Sequence, residues 1–203
     1  MVGEHGAYWD AQAAGYDRAT RWLESRLMTP ARVWVAQRVR GDVLEVAAGT
    51  GANLPHYAAS AASVTLTDGS AAMLALARRR ADEVGVPVRA VQADAARLPW
   101  SDASFDSVVC TFALCCVPDE VAVLRELARV VRPDGRVLIA DHVESSAAGW
   151  RVVQRVLDVL GRRHGEHHRR RPLLRLEEAG LEAVEAVASR HRLVEQVAAR
   201  RSG

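Results

Sequence analysis

The chain has 203 residues, 49% of them hydrophobic, and a formal net charge of +2, which suits one full core and at most a small appendage. No run approaches the ~18 consecutive apolar residues of a membrane span, and the opening MVGEHGAYWDAQ lacks a charged-then-apolar leader, so a cytoplasmic chain is expected. Near-balanced charge with 5% aromatic residues argues against a nucleic-acid partner. Cys110, Cys115 and Cys116 sit in an apolar stretch without metal-ligand spacing and read as buried, reduced thiols.

Residues 5–40 read as helical, with Tyr8, Trp9, Tyr16 and Trp22 concentrated there. Thr29-Pro30 predicts an N-cap followed by proline at the first helical position, then a helix from Ala31 to Val39. Val43 to Val46 is a short apolar run that stops at a loop of small residues holding Gly49 and Gly51, the pattern of a buried strand turning sharply into a helix. Ser63 to Thr67 predicts a second strand ending at Asp68, and Ser70 then caps a helix from Ala71 to about Glu83. Val88 to Gln92 and Phe105 to Thr111 are the third and fourth strands. Pro118 opens a helix with apolar residues at helical spacing; Arg132 to Gly135 closes it, and Arg136 to Ala140 is the fifth strand. Beyond it, Trp150 to Leu160 is an amphipathic helix, Pro172 to Ala179 another, and Leu181 to Ala198 has room for two strands.

Strands alternating with helices imply a doubly wound, mostly parallel α/β sheet whose strand C-termini share one edge, where ligands bind. Glu45, Asp68, Asp94, Thr111 and Asp141 all fall at that edge. A carboxylate inside a buried strand needs a partner, and for Glu45 a cationic ligand would supply one. Asp68 follows Glu45 by 23 residues, the spacing at which an acid on the second strand reaches a ribose. The loop lacks the third glycine of a dinucleotide fingerprint, and Glu45 would repel a pyrophosphate. A nicotinamide dehydrogenase is the weaker reading; a ligand with an ammonium and no phosphate fits, and S-adenosylmethionine is one.

VLEVAAGTGANL, VTLTDGSAAML, VQADAARLPWSDASFDSVV and ELARVVRPDGRVLIADH resemble the successive motifs of class I S-adenosylmethionine-dependent methyltransferases. The likeness is to the small-molecule branch with ubiquinone and menaquinone C-methyltransferases and phospholipid N-methyltransferases, and spans roughly residues 5–143. It implies a Rossmann-like core at 41–143, a helical cap at 1–40, an acceptor-site cover at 144–172 and a C-terminal helix and strands at 173–203, all one domain with an antiparallel C-terminal strand. By the same resemblance Glu45 would orient the loop and the methionine ammonium, and Ala47, Gly49 and Gly51 would pass under the methionyl chain. Asn53 would be a polar contact near the carboxylate, Asp68 would take the ribose hydroxyls, and Gly69 and Met73 would flank the adenine. Asp94 and Ala95 would bond the adenine ring, Thr111 and Phe112 would line the reactive methyl, and Tyr16 would close over the cofactor as a lid.

Two departures matter. Ala47 stands where the family has a first glycine, which requires a negative φ there. The fourth-strand end TFALCC lacks the Asn/Asp-Pro-Pro-aromatic motif of base-amine methylation. The acceptor is then a small organic molecule, a secondary metabolite or quinone-like compound, with S-adenosylhomocysteine as co-product. A phospholipid amine, or binding of the cofactor without turnover, are the alternatives. His142 is the candidate general base, against a structural histidine. The cluster His164, His167 and His168 reads as a solvated basic loop, and no metal is expected. All 27 basic residues are arginine, with 12 against 7 acids in residues 151–203. That excess reads as a solvated face, with an acidic or phosphate-bearing partner as the alternative.

Overall fold

The computed structural model describes residues 4–57, 61–161 and 169–202, so His164, His167 and His168 lie outside the described residues. Helix α1 (Glu4–Leu23) runs through one π-helical turn (Glu24–Met28) into α2 (Thr29–Ala36). The predicted cap at Thr29 is corrected: Met28 and Thr29 both have right-handed helical dihedrals, and the Thr29 hydroxyl donates to Glu24 Oε1 at 3.2 Å. The wider π turn absorbs Pro30, whose ring lacks a donor and crowds the turn before it. The helix also stops at Ala36, short of Val39.

Among the described residues the sheet has strands β1 (Gly41–Val46), β2 (Ala61–Asp68), β3 (Val88–Gln92), β4 (Phe105–Thr111), β5 (Val131–His142), β6 (Leu181–Ala188) and β7 (Val194–Arg201). Their order is β3-β2-β1-β4-β5-β7-β6. Pairing among β1 to β5 is parallel, and β7 runs antiparallel to both neighbours. This is the doubly wound, mostly parallel sheet that the alternation of elements predicts, with its antiparallel C-terminal strand. Strand order reverses at β1/β4, which opens a crevice above the C-terminal ends of those two strands.

Helix α3 (Ala71–Val84) starts as predicted, with Ser70 Oγ accepting from the Met73 N–H at 3.0 Å, and ends at Gly85 in the left-handed conformation. Helix α4 (Glu120–Val130) starts two residues after Pro118, because Asp119 makes the cap by accepting from the Val121 and Ala122 N–H groups. Arg132 to Gly135 is not a separate closing turn. The chain passes from Val130 directly into β5, which begins at Val131. Pro172 to Ala179 forms two 3₁₀ turns in place of the predicted helix; α5 (Ala148–Gly161) and the final two strands agree with expectation.

Alternation along β1 divides two cores. Leu44 and Val46 pack with Leu124 and Leu127 of α4, whereas Val43 packs with Val35 of α2 and with Leu74 and Ala77 of α3. Each fully buried leucine contributes about 1.5–3 kcal/mol, so the centre of the sheet is its most rigid part. Glu45 shares the face of Val43 and therefore points toward α2.

Candidate functional site

The loop after β1 does not enter a regular helix. It makes turns through Asn53 and then one 3₁₀ turn, Leu54–His56. Its shape is fixed by Asp68: Oδ2 accepts from the Gly49 N–H and Oδ1 from the Ser70 N–H, both at 2.8 Å. One carboxylate thus ties the β1 loop to the start of α3. Gly49 has φ +55°, and a Cβ built there would meet nothing within 4 Å, so its open side faces the cavity described below. Gly51 serves packing instead. A Cβ there would lie 2.8 Å from Leu54 Cδ1 and 3.1 Å from Ala77 Cβ, so only glycine lets the loop rest on α3.

Ala47 contradicts the expected negative φ: it sits at +54°, as does Phe112 after β4. A left-handed alanine costs about 1–2 kcal/mol against glycine, offset in part by the extra freedom glycine has when unfolded. Ala47→Gly is therefore expected to raise the unfolding free energy by up to about 1 kcal/mol, read from the urea midpoint at unchanged slope. A loss of stability would mean the alanine methyl packs better than its backbone strain costs.

Behind the loop lies a buried polar network that answers the question posed by Glu45 from within the protein. Asn53 Nδ2 donates to Glu45 Oε1 and to Thr111 Oγ1, both at 2.9 Å. Arg32 of α2 donates from one amino group to Asn53 Oδ1 and Thr111 Oγ1, each at 3.0 Å, and pairs through Nε with Glu24 at 2.9 Å. Its guanidinium also lies 5.0 Å from the centre of the Phe112 ring. Among the described residues, Glu45 Oε2 and the buried Tyr57 hydroxyl beside it both lack a well-aligned partner. Burial pushes the Glu45 carboxyl up to about 7, while Tyr57, Arg32 and Asn53 pull the other way.

A carboxyl raised from 4.5 to about 7 holds its proton more tightly folded than unfolded, so unfolding free energy falls as pH rises across that window. Asp141, raised by burial from 3.8 to about 6, acts in the same sense at slightly lower pH. Glu45→Gln is expected to remove at most about 3 kcal/mol of the decline between pH 5 and 8. Parallel urea titrations of both proteins at several pH values measure it, and identical pH dependence would place the titration elsewhere.

The cavity itself, about 700 Å³, opens above the β1/β4 switch point. Of the predicted residues it gathers Tyr16, Ala47, Gly49, Asp68, Gly69, Met73, Asp94, Ala95 and Phe112 on its walls. Glu45, Gly51, Asn53 and Thr111 are not on its walls and stand beneath or beside the loop. His142 does not line it either: its ring lies 4.9 Å from that of Phe112, between centres. Asp94 does two things, lining the cavity and accepting from the Ala96 N–H at 2.9 Å to fix its own turn. Cys110 and Cys115 are buried free thiols, but Cys116 is half-buried and faces the cavity.

Helix α1 supplies Gly6, Trp9 and Tyr16 to the cavity wall, and burial raises the Tyr16 phenol above its ordinary range. Two aspartates that sequence reasoning passed over fasten this helix. Asp10 accepts from the Ser70 hydroxyl (2.5 Å) and the Ala72 N–H (3.0 Å) at the start of α3. Asp17 accepts from the Thr50 hydroxyl (2.7 Å) and pairs with Arg80. Their seven-residue spacing puts both on one helical face, which was the available signal. Arg32 and Tyr57 had no comparable signal: Arg32 joins Glu24, 8 residues before it, to Asn53 and Thr111, 21 and 79 residues after it, and Tyr57 is buried beside Glu45.

The lining carries three carboxylates, Asp68, Asp94 and Asp119, and among the described residues that form it none is arginine or lysine. Such a set of acceptors fits a ligand with hydroxyl, amino or cationic groups and does not fit a pyrophosphate.

Residues 44–139 match the family model described as a methyltransferase domain. They are a methyltransferase domain. Related chains include a phosphatidylethanolamine N-methyltransferase of Cereibacter sphaeroides, 41% identical over 119 residues (58% of this chain and 58% of that one). A demethylmenaquinone methyltransferase of Clavibacter sepedonicus is 37% identical over 145 residues, 68% of this chain and 58% of that one. The chain thus spans little more than half the length of these relatives. Among solved structures, the DhpI–SAH complex superposes with a TM-score of 0.72 at 26% identity, over 100% of this chain and 97% of the other. The family match begins inside β1 and ends inside β5, so it encloses the cavity floor and leaves α1, α2 and everything after β5 outside it.

Proposed function

We propose that this chain transfers the methyl group of S-adenosylmethionine to a small organic acceptor of secondary-metabolite or quinone-like type. The observation that carries the reading is the cavity lined by three carboxylates and, among the described residues, no arginine, set at the sheet's switch point with its floor in the methyltransferase domain. Asp68 would accept from the ribose hydroxyls while holding Gly49 and Ser70, and Asp94 with the Ala95 backbone would take the adenine edge. Gly69 and Met73 would flank the ring, and Ala47 and Gly49 would let the backbone run close to the methionyl chain. Tyr16 would close the top. Glu45, Asn53 and Thr111 act one layer down, by holding the loop. S-adenosylmethionine, when bound, supplies an electrophilic methyl, so the protein's task is alignment and exclusion of water, where well-placed reactants reach effective molarities of ~10⁵–10⁸ M.

The rest of the cavity, where Ala113, Val117, Pro118 and Val123 meet Asp119, is apolar with a single carboxylate and suits an apolar acceptor carrying one donor or cationic group. The relative from C. sphaeroides favours a phospholipid amine as the second reading. His142 lies against Phe112 and off the cavity wall, so we read it as support for that ring. His142→Ala should cost less than about tenfold in turnover and leave the shape of the pH profile over 6–9 unchanged; loss of the acidic limb would restore it as general base. Thermal shifts with S-adenosylhomocysteine and NAD test the cofactor: stabilisation by NAD alone would sink the reading. Labelled S-adenosylmethionine with a panel of quinols, phenols and phosphatidylethanolamine then tests the acceptor. No product with any of them, despite cofactor binding, would mark a binding protein of this fold.

A further inference from the structure

Helix α5 is turned outward. Gln154 and Asp158, one turn apart, are 6% and 8% exposed, whereas Val156 and Val159 are 55% and 63% exposed. At about 100° per residue, Trp150, Val152, Val153, Val156 and Val159 fill one half of the helix circumference, and Arg151, Gln154, Arg155 and Asp158 lie in the other. The polar half is the one fastened to the protein. Gln154 accepts from the Ser145 N–H (2.9 Å) and donates to the Val143 carbonyl (2.8 Å), Arg151 donates to the Ser146 carbonyl (2.9 Å), and Asp158 pairs with Arg169. The apolar half is left to its surroundings, the reverse of a helix that buries its apolar stripe in a core.

Beside it is a cleft of about 320 Å³ whose walls bring together Arg151, Arg155, Arg171 and Arg192 against one acid, Glu144. Arg171 Nε is buried and has no hydrogen-bond partner among the described residues. A donor in that state calls for an acceptor from outside, and four guanidinium groups specify an anion.

We propose that α5 and this cleft dock the chain onto the surface of an anionic lipid bilayer. The apolar half of α5 lies in the boundary between headgroups and acyl chains, Trp150 sits at its edge, and the arginines engage lipid phosphates. No described helix is long and apolar enough to cross a membrane, so the contact is one of lying on the surface. Charge decides against a second copy as the occupant: a two-fold pairing through α5 would bring two arginine clefts side by side. The proposal does not rest on the cofactor or acceptor assigned above.

Co-sedimentation of the full chain with phosphatidylcholine vesicles, with and without about one-third phosphatidylglycerol, tests it. The wild type is expected to bind the mixed vesicles at least about tenfold more tightly than the neutral ones and to be released by salt. Val156→Glu/Val159→Glu should abolish binding to both. Arg155→Gln/Arg192→Gln keeps the apolar half and should lose about 25-fold on anionic vesicles, roughly fivefold per arginine. Circular dichroism melts check that each variant is folded. Absence of vesicle binding, equal binding to both vesicle types, or unchanged binding by the folded valine variant overturns the proposal. So does a lipid-free wild-type dimer that the valine variant converts to monomer.

Discussion

Asp68→Ala is expected to lower the affinity for S-adenosylhomocysteine by at least about a hundredfold, measured by calorimetry, and to give the largest functional loss of any single change in the cavity. The side chain holds the Gly49 and Ser70 N–H groups at 2.8 Å each while facing the space where the proposed ribose sits. Charge-assisted bonds of this kind contribute ~1.5–3 kcal/mol apiece, so two lost positioning bonds alone reach the hundredfold range. Asp68→Asn keeps one acceptor but turns an amide N–H₂ toward a backbone donor, and should recover only part of the affinity. The melting temperature separates binding from folding, because the loop lies at the rim and the sheet beneath is fully packed. A folded Asp68→Ala variant with unchanged affinity would remove this residue from the cofactor site.

Arg32→Met should produce the largest loss of stability, about 3–5 kcal/mol, because it strands charge that the fold has already buried. Glu24 would lose its cation, Asn53 Oδ1 and Thr111 Oγ1 would lose a donor, and Glu45 would lose the positive charge that holds its carboxyl down. Arg32→Lys keeps the charge but cannot reach Glu24, Asn53 and Thr111 together with one compact ammonium, so an intermediate loss is expected. Adding Glu24→Gln to Arg32→Met should cost less than the sum of the two single changes, since they share one interaction. Additive losses in urea unfolding would show that the pair is not coupled.

The sheet was legible because strands and helices differ in period, and because Gly85 and Asp68 punctuate them. Asp68, Asp94, Gly49 and Phe112 could be placed at the cavity from strand ends alone, as ligand sites in such sheets lie beyond the C-termini of the strands. That same rule overreached at Glu45, Thr111 and Asp141. All three stand at strand ends, yet the structure uses them beneath the site, where Asn53, Arg32 and the Cys115 N–H meet them. A strand-end position says which edge a side chain occupies and leaves open whether it points up or sideways. Ala47 shows a different limit. The rule that left-handed positions take glycine is a statement about cost, and a well-packed centre can bear about 1–2 kcal/mol of it. The direction of α5 was invisible for a third reason: an amphipathic pattern has two faces, and nothing in its period says which one the protein keeps.

The fastening of α1 has a kinetic meaning. Asp10 and Asp17 hold that helix to Ser70, Ala72, Thr50 and Arg80, while Gly6, Trp9 and Tyr16 roof the cavity. In the proposed reaction, a molecule held under this roof would leave as some of those bonds let go together, which would give the cycle a clock independent of bond-making. Methyl transfer onto a well-aligned acceptor can be quick, yet the rate of successive turnovers would follow how often the first helix lifts.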